Sequence, residues 1–245
     1  MAAKRSTPVS SLHEQVVDRL GALIARGDMA GGATFKIEEL AAEYGVSRSV
    51  MREAVRELQT LGMVSSQRRV GSVIQDKDNW QLFHPRVIQW RIDSGDIRHQ
   101  LNSLTELRIA IEPIAAALAA QRRTARQAER LIALANEIYE SGAAADDERF
   151  VRADAAFHTL VLESSDNELY MSLADSVTAA LKGRARHGLL PVQVMHSFEL
   201  HQEVAFAIEA RDPVRAENAM RENLSDVLKE VATLTPRVVA GGPWT

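Results

Sequence analysis

The sequence has no cysteine among its 245 residues, and aromatic residues make up only 5% of it. Without thiols the chain can form neither disulfides nor thiolate metal sites. It also lacks an apolar run near the ~20 residues that a membrane span requires, and residues 1–11 lack the apolar stretch of a signal peptide. We therefore expect a cytoplasmic protein with no membrane association, long enough for two modest domains.

An overall basic charge is missing as well, because the chain carries a net charge of −4. Residues 1–78 contain 11 Lys and Arg against 10 Asp and Glu, and the remainder contains 18 against 23. This balance argues against a sequence-independent DNA-packaging protein. Between Ser47 and Ser72, however, five arginines occur with only two glutamates. Positive charge is thus concentrated in one short stretch, where DNA phosphates would lie.

Residues 37–64 are predicted to form two helices joined by a tight turn. Gly45 ends the first helix, and Ser47 is placed to cap the second. The second helix buries residues that recur at helical spacing, namely Val50, Met51, Ala54, Val55 and Leu58. Arg48, Ser49 and Arg52 then stay outside. This is the layout of a helix-turn-helix, in which the start of the recognition helix meets base edges in the DNA major groove. An ordinary helical hairpin with a charged face is the alternative.

A β-hairpin is predicted directly after the second helix. Two brief β-type segments flank the polar turn Gln67-Arg68-Arg69, as in the wing of a winged helix. We expect Arg68 and Arg69 to contact phosphates on any duplex.

The second half of the chain is predicted to be all-helical. From Leu101 to Thr233 no alternating strand pattern occurs, and about six helical segments follow one another. The predicted fold class is therefore mainly α, with an N-terminal winged helix-turn-helix over residues 1–78 and a C-terminal all-helical bundle over residues 101–235. Residues 79–100 are predicted to be a linker.

Polar side chains lie on the inward arcs of three predicted helices. Asp154 and His158 are one turn apart, and His201 and Asn223 point inward from their own helices. A buried polar group is costly unless it is satisfied, and an Asp/His/His set suits zinc or a similar divalent ion. A hydrogen-bonded or water-filled core is the alternative.

Two arginines, Arg108 and Arg184, also fall on inward arcs. A buried guanidinium needs an anion, and it can bind a carboxylate through two hydrogen bonds. A small hydroxylated carboxylate would suit both an arginine and a metal with free positions. The alternative is an internal salt bridge, for instance to Glu112.

Two groups of motifs resemble a known family. The first resembles the winged-helix domain of the GntR regulators and comprises Glu39-Leu40-Ala41, Gly45-Val46-Ser47-Arg48, Arg52-Glu53-Ala54-Val55-Arg56, Leu61-Gly62-Met63-Val64 and Arg69-Val70-Gly71. The second is similar to the opening of the FCD effector domain of the FadR subgroup and comprises Glu106-Leu107-Arg108 and Ile111-Glu112-Pro113-Ile114-Ala115-Ala116.

For the first domain, the resemblance implies a role in operator recognition. It implies DNA contacts from Arg48, Ser49, Arg52 and Gly71, with Ser47 at a phosphate. Many members have an arginine where this chain has Glu38, so one usual contact is missing. Lys36 is the neighbouring candidate to replace it.

For the second domain, the resemblance implies a divalent metal, with zinc as the expected ion, held by Asp154, His158 and His201. Many members have a fourth ligand, a histidine, where this chain has Asn223. We therefore expect an open side of the metal that faces an effector, a sugar acid or hydroxy acid bound by Arg108, Arg184 and Asn223.

Together these features predict a ligand-responsive repressor that binds a pseudo-palindromic double-stranded DNA operator as a homodimer. The rival hypothesis is a metal-dependent hydrolase, because an Asp/His/His metal with an open position can activate water. No acidic residue stands out in the sequence as a general base beside the ligands. A hydrolase would also leave the winged helix without a role.

Overall fold

The computed structural model describes residues 11–95, 97–188 and 195–232, and the chain divides into two compact units, Met1–Ser94 and Gly95–Thr245. The helices of the first unit are α1 (Leu12–Arg26), α2 (Ile37–Glu43), α3 (Arg48–Thr60) and α4 (Pro85–Asp93). Its strands are β1 (Thr34–Phe35), β2 (Val64–Gln67) and β3 (Gly71–Ile74). A short 3-10 turn, Lys77–Asn79, precedes α4.

Local capping signals fix the ends of the helices in the first unit. At the start of α1 the Ser11 hydroxyl accepts from the Glu14 amide, and the Glu14 carboxylate accepts from the Ser11 amide. This reciprocal capping box satisfies two of the free amides at a helix start. Ser47 caps α3, because its hydroxyl accepts from the Val50 amide at 3.3 Å. The predicted cap and the predicted start of this helix are thereby confirmed.

The three strands form an antiparallel sheet in the order β1-β3-β2. The predicted hairpin is β2 and β3, with Gln67 opposite Gly71. The two-residue strand β1, which pairs with β3, was not predicted from the sequence. The hairpin turn places Arg69 at φ 69° and Gly71 at φ 106°. A Cβ at Gly71 would lie 3.0 Å from the Phe35 carbonyl oxygen, so glycine suits this close approach of β1 and β3.

Helix α4 packs against α1 within the first unit. A Cβ on Gly21 would lie only 2.6 Å from the Trp90 ring, so this ring rests directly on the backbone of α1. The indole Nε1–H of Trp90 donates to Asp18 at 3.1 Å. Arg86 donates to Asp18 at 2.8 Å and also forms an ion pair with Glu57 of α3. Residues 79–100, predicted as a linker, thus contain a helix that is joined to the core of the first unit.

The second unit is built from helices alone in the part of the chain that the structure describes, which confirms the predicted fold class. They are α5 (Ile97–Arg122), α6 (Ala125–Ala143), α7 (Asp147–Ser164), α8 (Glu168–Met171), α9 (Ala174–Arg186), α10 (Met195–Glu209) and α11 (Pro213–Ala232). The core includes Ala115, Leu131, Ile138, Phe157, Val161, Phe198, Ile208 and Met220. None of the described helices is both long and apolar enough to cross a membrane.

Candidate functional site

The exposed face of α3 carries the predicted DNA-reading residues. Arg48, Ser49 and Arg52 are all exposed, and the Ser49 hydroxyl lies 2.9 Å from that of Ser47. Among the described residues, no carboxylate oxygen lies within 4.0 Å of Arg48 or Arg52. Arg56, one turn further along, is instead paired with Glu53 at 2.7 Å. The first two turns of α3 therefore present cations that are available to an external anion or base.

The hairpin between β2 and β3 carries a second pair of cations. Arg68 and Arg69 are exposed in its turn, and no ion pair to either is found within the described residues. Lys36 is different, because its ammonium group is hydrogen bonded to Glu39 at 2.8 Å. A phosphate would have to compete with that carboxylate for Lys36. The DNA contacts of all these residues stay predictions.

The second unit brings the predicted metal-binding residues together in its interior. Helix α7 supplies Asp154 and His158 one turn apart, and α10 supplies His201. Asp154, His158 and His201 are 8%, 1% and 4% exposed. Their potential ligand atoms all lie within 4.8 Å of one another. The Nε2 atoms of His158 and His201 lie 3.3 Å and 3.1 Å from Asp154 Oδ1.

The other nitrogen of each ring decides what these three atoms can bind. The Nδ1 of His201 lies 2.7 Å from the Ser197 carbonyl oxygen, and the Nδ1 of His158 lies 2.5 Å from Glu112 Oε2. A backbone carbonyl oxygen can only accept a hydrogen bond, and so can the oxygen of an ionised carboxylate. Each Nδ1 must therefore carry the proton. Each Nε2 then either bears a second proton or directs a lone pair at Asp154. The cluster therefore requires protons or a cation at its centre.

The separations suit a single ion. Bonds of about 2.0–2.1 Å in a tetrahedral site place neighbouring ligand atoms about 3.3 Å apart. The separations of the two Nε2 atoms from Asp154 Oδ1, 3.3 Å and 3.1 Å, are close to this value, and the three potential ligand atoms all lie within 4.8 Å of one another. An aspartate oxygen and two imidazole nitrogens are also the donor types that zinc and related ions accept. The residues present thus fit a divalent metal.

Electrostatics within the cluster favour ionised carboxylates. Burial raises the pKa of the Asp154 carboxyl, but hydrogen bonds from His158 and His201 outweigh burial and hold its pKa well below the usual value. Burial likewise raises the pKa of Glu112, but Arg108 and His158 bring it down to about 2. Burial lowers the pKa of His158, but Glu112 and Asp154 outweigh it and raise the pKa above its ordinary value. This direction favours the protonated, positively charged form of His158 beside the two carboxylates.

All six residues predicted to bind metal or effector line one cavity, whose volume is about 10 Å³. They are Arg108, Asp154, His158, Arg184, His201 and Asn223. The amide nitrogen of Asn223 lies 3.3 Å from His201 Nδ1, and Phe150 and Leu181 add apolar walls. A space of this size accommodates about one water molecule or ion. A sugar acid requires a wider cavity than the one described here.

Glu112 is the member of this site that sequence analysis did not assign to the metal cluster. Its side chain is fully buried, and its Oε1 accepts from Arg108 Nε at 2.5 Å. The internal salt bridge considered for Arg108 is therefore present. The Glu112 carboxylate also contacts His158, one of the predicted metal ligands. The spacing of four residues places Glu112 on the same face of α5 as Arg108, but it does not reveal the contact with His158 of α7.

Comparison with known proteins covers both units. The profile of bacterial regulatory proteins of the gntR family matches residues 12–74, and the profile of the FCD domain matches residues 103–226. The galactonate operon transcriptional repressor of Escherichia coli K12 is 23% identical over 225 residues, which are 91% of this chain and 97% of that protein. The putative L-lactate dehydrogenase operon regulatory protein of the same organism is 30% identical over 224 residues, 88% of this chain and 84% of that protein.

Solved structures show the same fold. One is the structure of Lar, which controls the expression of the Listeria monocytogenes agr system. Its match to this protein spans 94% of this chain and 100% of the Lar chain. The TM-score is 0.65 at 18% sequence identity.

Proposed function

The chain belongs to the GntR family of bacterial regulatory proteins and carries an FCD domain, and on this premise we propose that a small carboxylate, bound beside a divalent metal, controls its affinity for an operator. The protein is a transcriptional regulator and not an enzyme. We further propose that it acts as a repressor, in keeping with the relative that represses the galactonate operon. Operator binding also supports the predicted cytoplasmic location, where bacterial DNA lies.

The proposed operator is pseudo-palindromic and is bound by a homodimer. One short recognition helix reads too few bases for a specific site, and two-fold symmetry doubles the sequence that is read. Arg48, Ser49 and Arg52 on α3 would contact base edges, with Ser47 at a phosphate. Gly71 of the wing, together with Arg68, Arg69 and Lys36, would contact the neighbouring backbone. The exposed arginines at the start of α3, which have no ion pair among the described residues, support this assignment.

The observation that carries the proposed metal is the orientation of the two histidines. Both Nδ1 atoms face acceptors, so both Nε2 atoms converge with Asp154 Oδ1 on one point. We propose zinc as the ion, since the three donors and their separations suit it. A metal bound by three protein ligands would offer its open position to an oxygen of the effector.

The proposed effector is a sugar acid or hydroxy acid. Glu112 accepts from Nε of Arg108 and, at 3.5 Å, from Nη2, which leaves Nη1 of the guanidinium for an incoming carboxylate. Arg184 and Asn223 line the same cavity and would contact the remaining oxygens. Relatives named for the galactonate and L-lactate dehydrogenase operons support acids of this class.

The small size of the cavity supports a link between effector and DNA. A ligand that widens this cavity would bind one arrangement of the second unit better than another. Only such a difference in affinity lets a ligand shift an equilibrium. A coupling of about 1–3 kcal/mol would change operator affinity by about 5- to 150-fold.

A matched pair of histidine variants on α10 tests the metal and the effector response together. His201→Ala removes a proposed ligand, and His196→Ala removes an exposed histidine that lies 3.2 Å from Glu222 on the surface. Metal content would be measured by elemental analysis. Sugar acids and hydroxy acids, including galactonate and L-lactate, would be screened by thermal shift with and without chelator. A ligand at 100 times its Kd adds about 2.7 kcal/mol of stability.

We expect His196→Ala to keep the metal and the effector response, and His201→Ala to lose both while still binding the operator. A His201→Ala protein with a normal response would refute the metal-bridged mechanism. A wild-type protein that binds no divalent ion, even when one is supplied, would leave Asp154, His158 and His201 as a hydrogen-bonded core.

A further inference from the structure

The two histidines of the cluster are oriented by different kinds of contact. His201 Nδ1–H donates to the carbonyl of Ser197, four residues earlier in its own helix. That acceptor belongs to the backbone of α10 and is fixed by the helix itself. His158 Nδ1–H donates to Glu112, a side chain of another helix, α5. The orientation of the His158 ring therefore depends on one residue outside its own helix.

Glu112 also connects this ring to a cation. Its Oε2 lies 2.5 Å from His158 Nδ1, and its Oε1 lies 2.5 Å from Arg108 Nε. The side-chain exposures of Arg108, Glu112 and His158 are 3%, 0% and 2%. Without Glu112, the ring of His158 could turn and present either nitrogen to the centre of the cluster. A buried guanidinium would also be left without its anion.

We propose that Glu112 is the positioning residue of the metal site: its carboxylate holds His158 with Nε2 directed at the metal, and it joins the metal to Arg108. This inference rests on the metal of the proposed function. It assigns a role to the Arg108 and Glu112 pair beyond that of an internal salt bridge. Glu112 itself is not a ligand, since its two oxygens are occupied by His158 and Arg108.

Variants of Glu112 in a protein that already carries Arg108→Met separate this role from simple ion pairing. In Arg108→Met the carboxylate keeps His158 as its partner. In Arg108→Met/Glu112→Leu the acceptor is lost, and no buried cation is left unpaired, a replacement that folded proteins often tolerate. In Arg108→Met/Glu112→Gln the amide oxygen can still accept from His158 Nδ1–H. Zinc affinity of each full-length protein would be measured by competition with a chelator.

We expect the Arg108→Met/Glu112→Leu protein to bind zinc about 10- to 100-fold more weakly than Arg108→Met, the usual cost of losing the partner of a metal-bound histidine. The Arg108→Met/Glu112→Gln protein should recover part of this loss. Melting temperatures of the metal-free proteins provide the control. A purely structural role predicts that zinc affinity follows metal-free stability and is not rescued by glutamine.

A measurement on the unaltered protein avoids any problem of folding. With 15N-labelled histidine and bound zinc, NMR should show His158 and His201 both protonated at Nδ1 and bound to metal at Nε2. Coordination of zinc through His158 Nδ1 would overturn the proposal. So would equal zinc affinity in Arg108→Met and Arg108→Met/Glu112→Leu. If the unaltered protein binds no zinc, the proposed metal fails and this role fails with it, whereas zinc binding that is indifferent to residue 112 refutes this role alone.

Discussion

Replacement of Arg52 by alanine tests the DNA-reading face of α3 with a built-in control four residues away. Arg52 lies about 6 Å along the helix axis from Arg48 and about 40° around it. Arg56 has the same displacement from Arg52. Arg56 is already paired with Glu53 at 2.7 Å, whereas Arg52 has no carboxylate within 4.0 Å among the described residues. The two arginines thus differ in position and in pairing, but not in chemistry.

The expected magnitudes follow from these contacts. Arg52→Ala removes no described ion pair, so its effect on folding should stay within about 0.5 kcal/mol. Loss of one bidentate contact to guanine costs about 1–3 kcal/mol, which corresponds to about a 5- to 150-fold rise in Kd. Arg56→Ala removes a surface ion pair worth about 0.2–1 kcal/mol of stability and no proposed base contact. Its operator affinity should remain near that of the wild type.

Fluorescence anisotropy would measure the DNA affinity of both variants. One duplex would be selected from a randomised library, and the other would be a scrambled duplex of equal composition. Salt concentration must be held fixed, because phosphate contacts make every affinity depend on it. Arg52→Ala should lose affinity for the selected duplex and little for the scrambled one. Equal losses on both duplexes would identify Arg52 as a phosphate contact. If Arg52→Ala bound the selected duplex with wild-type affinity, Arg52 would not be part of the DNA interface.

Three further predictions concern the wing, a glycine turn and acid stability. Arg68→Ala and Arg69→Ala should weaken binding to every duplex and each reduce the log–log salt slope by about one, which a salt titration measures. Gly62→Ala should destabilise the first unit by more than about 1 kcal/mol in thermal unfolding, since Gly62 has φ +74° and a Cβ would lie 2.0 Å from the Asn79 carbonyl oxygen. The pKa of Glu112 is lowered from 4.5 to about 2, so its stabilising effect is present above pH 4.5 and is lost as pH falls toward 2. Denaturant unfolding of the metal-free protein should show a loss of up to about 3 kcal/mol across that range, and constant stability there would contradict the ionised state of this carboxyl.

Local signals were sufficient to predict most of the first unit. Apolar spacing and the cap at Ser47 gave the start of α3, because a capping hydroxyl acts on amides only a few residues away. The strand β1 was missed for the opposite reason. Its two residues, Thr34 and Phe35, gain strand geometry only by pairing with Val73 and Ser72, far along the chain. Two residues are too few for an alternating pattern to be detected.

In the second unit, the angular positions of single residues were predictable and their partners were not. A step of 100° per residue placed Asp154, His158 and His201 on inward faces, and all three are buried. The contact between Glu112 and His158 depends on which helices are neighbours in space, and periodicity within one helix holds no such information. About six helical segments were predicted where the described part of this unit has seven helices, and the additional helix, α8, is only four residues long.

The packing of α4 on α1 determines where the chain can be divided for engineering. A fragment that ended at residue 78 would lack Trp80, Val87 and Trp90, which are 7%, 0% and 4% exposed in the first unit. The backbone of α1 at Gly21 would then form the floor of an uncovered apolar groove, a surface prone to aggregation. Chimaeras that join this DNA-binding unit to a different sensor should therefore be fused after Ser94.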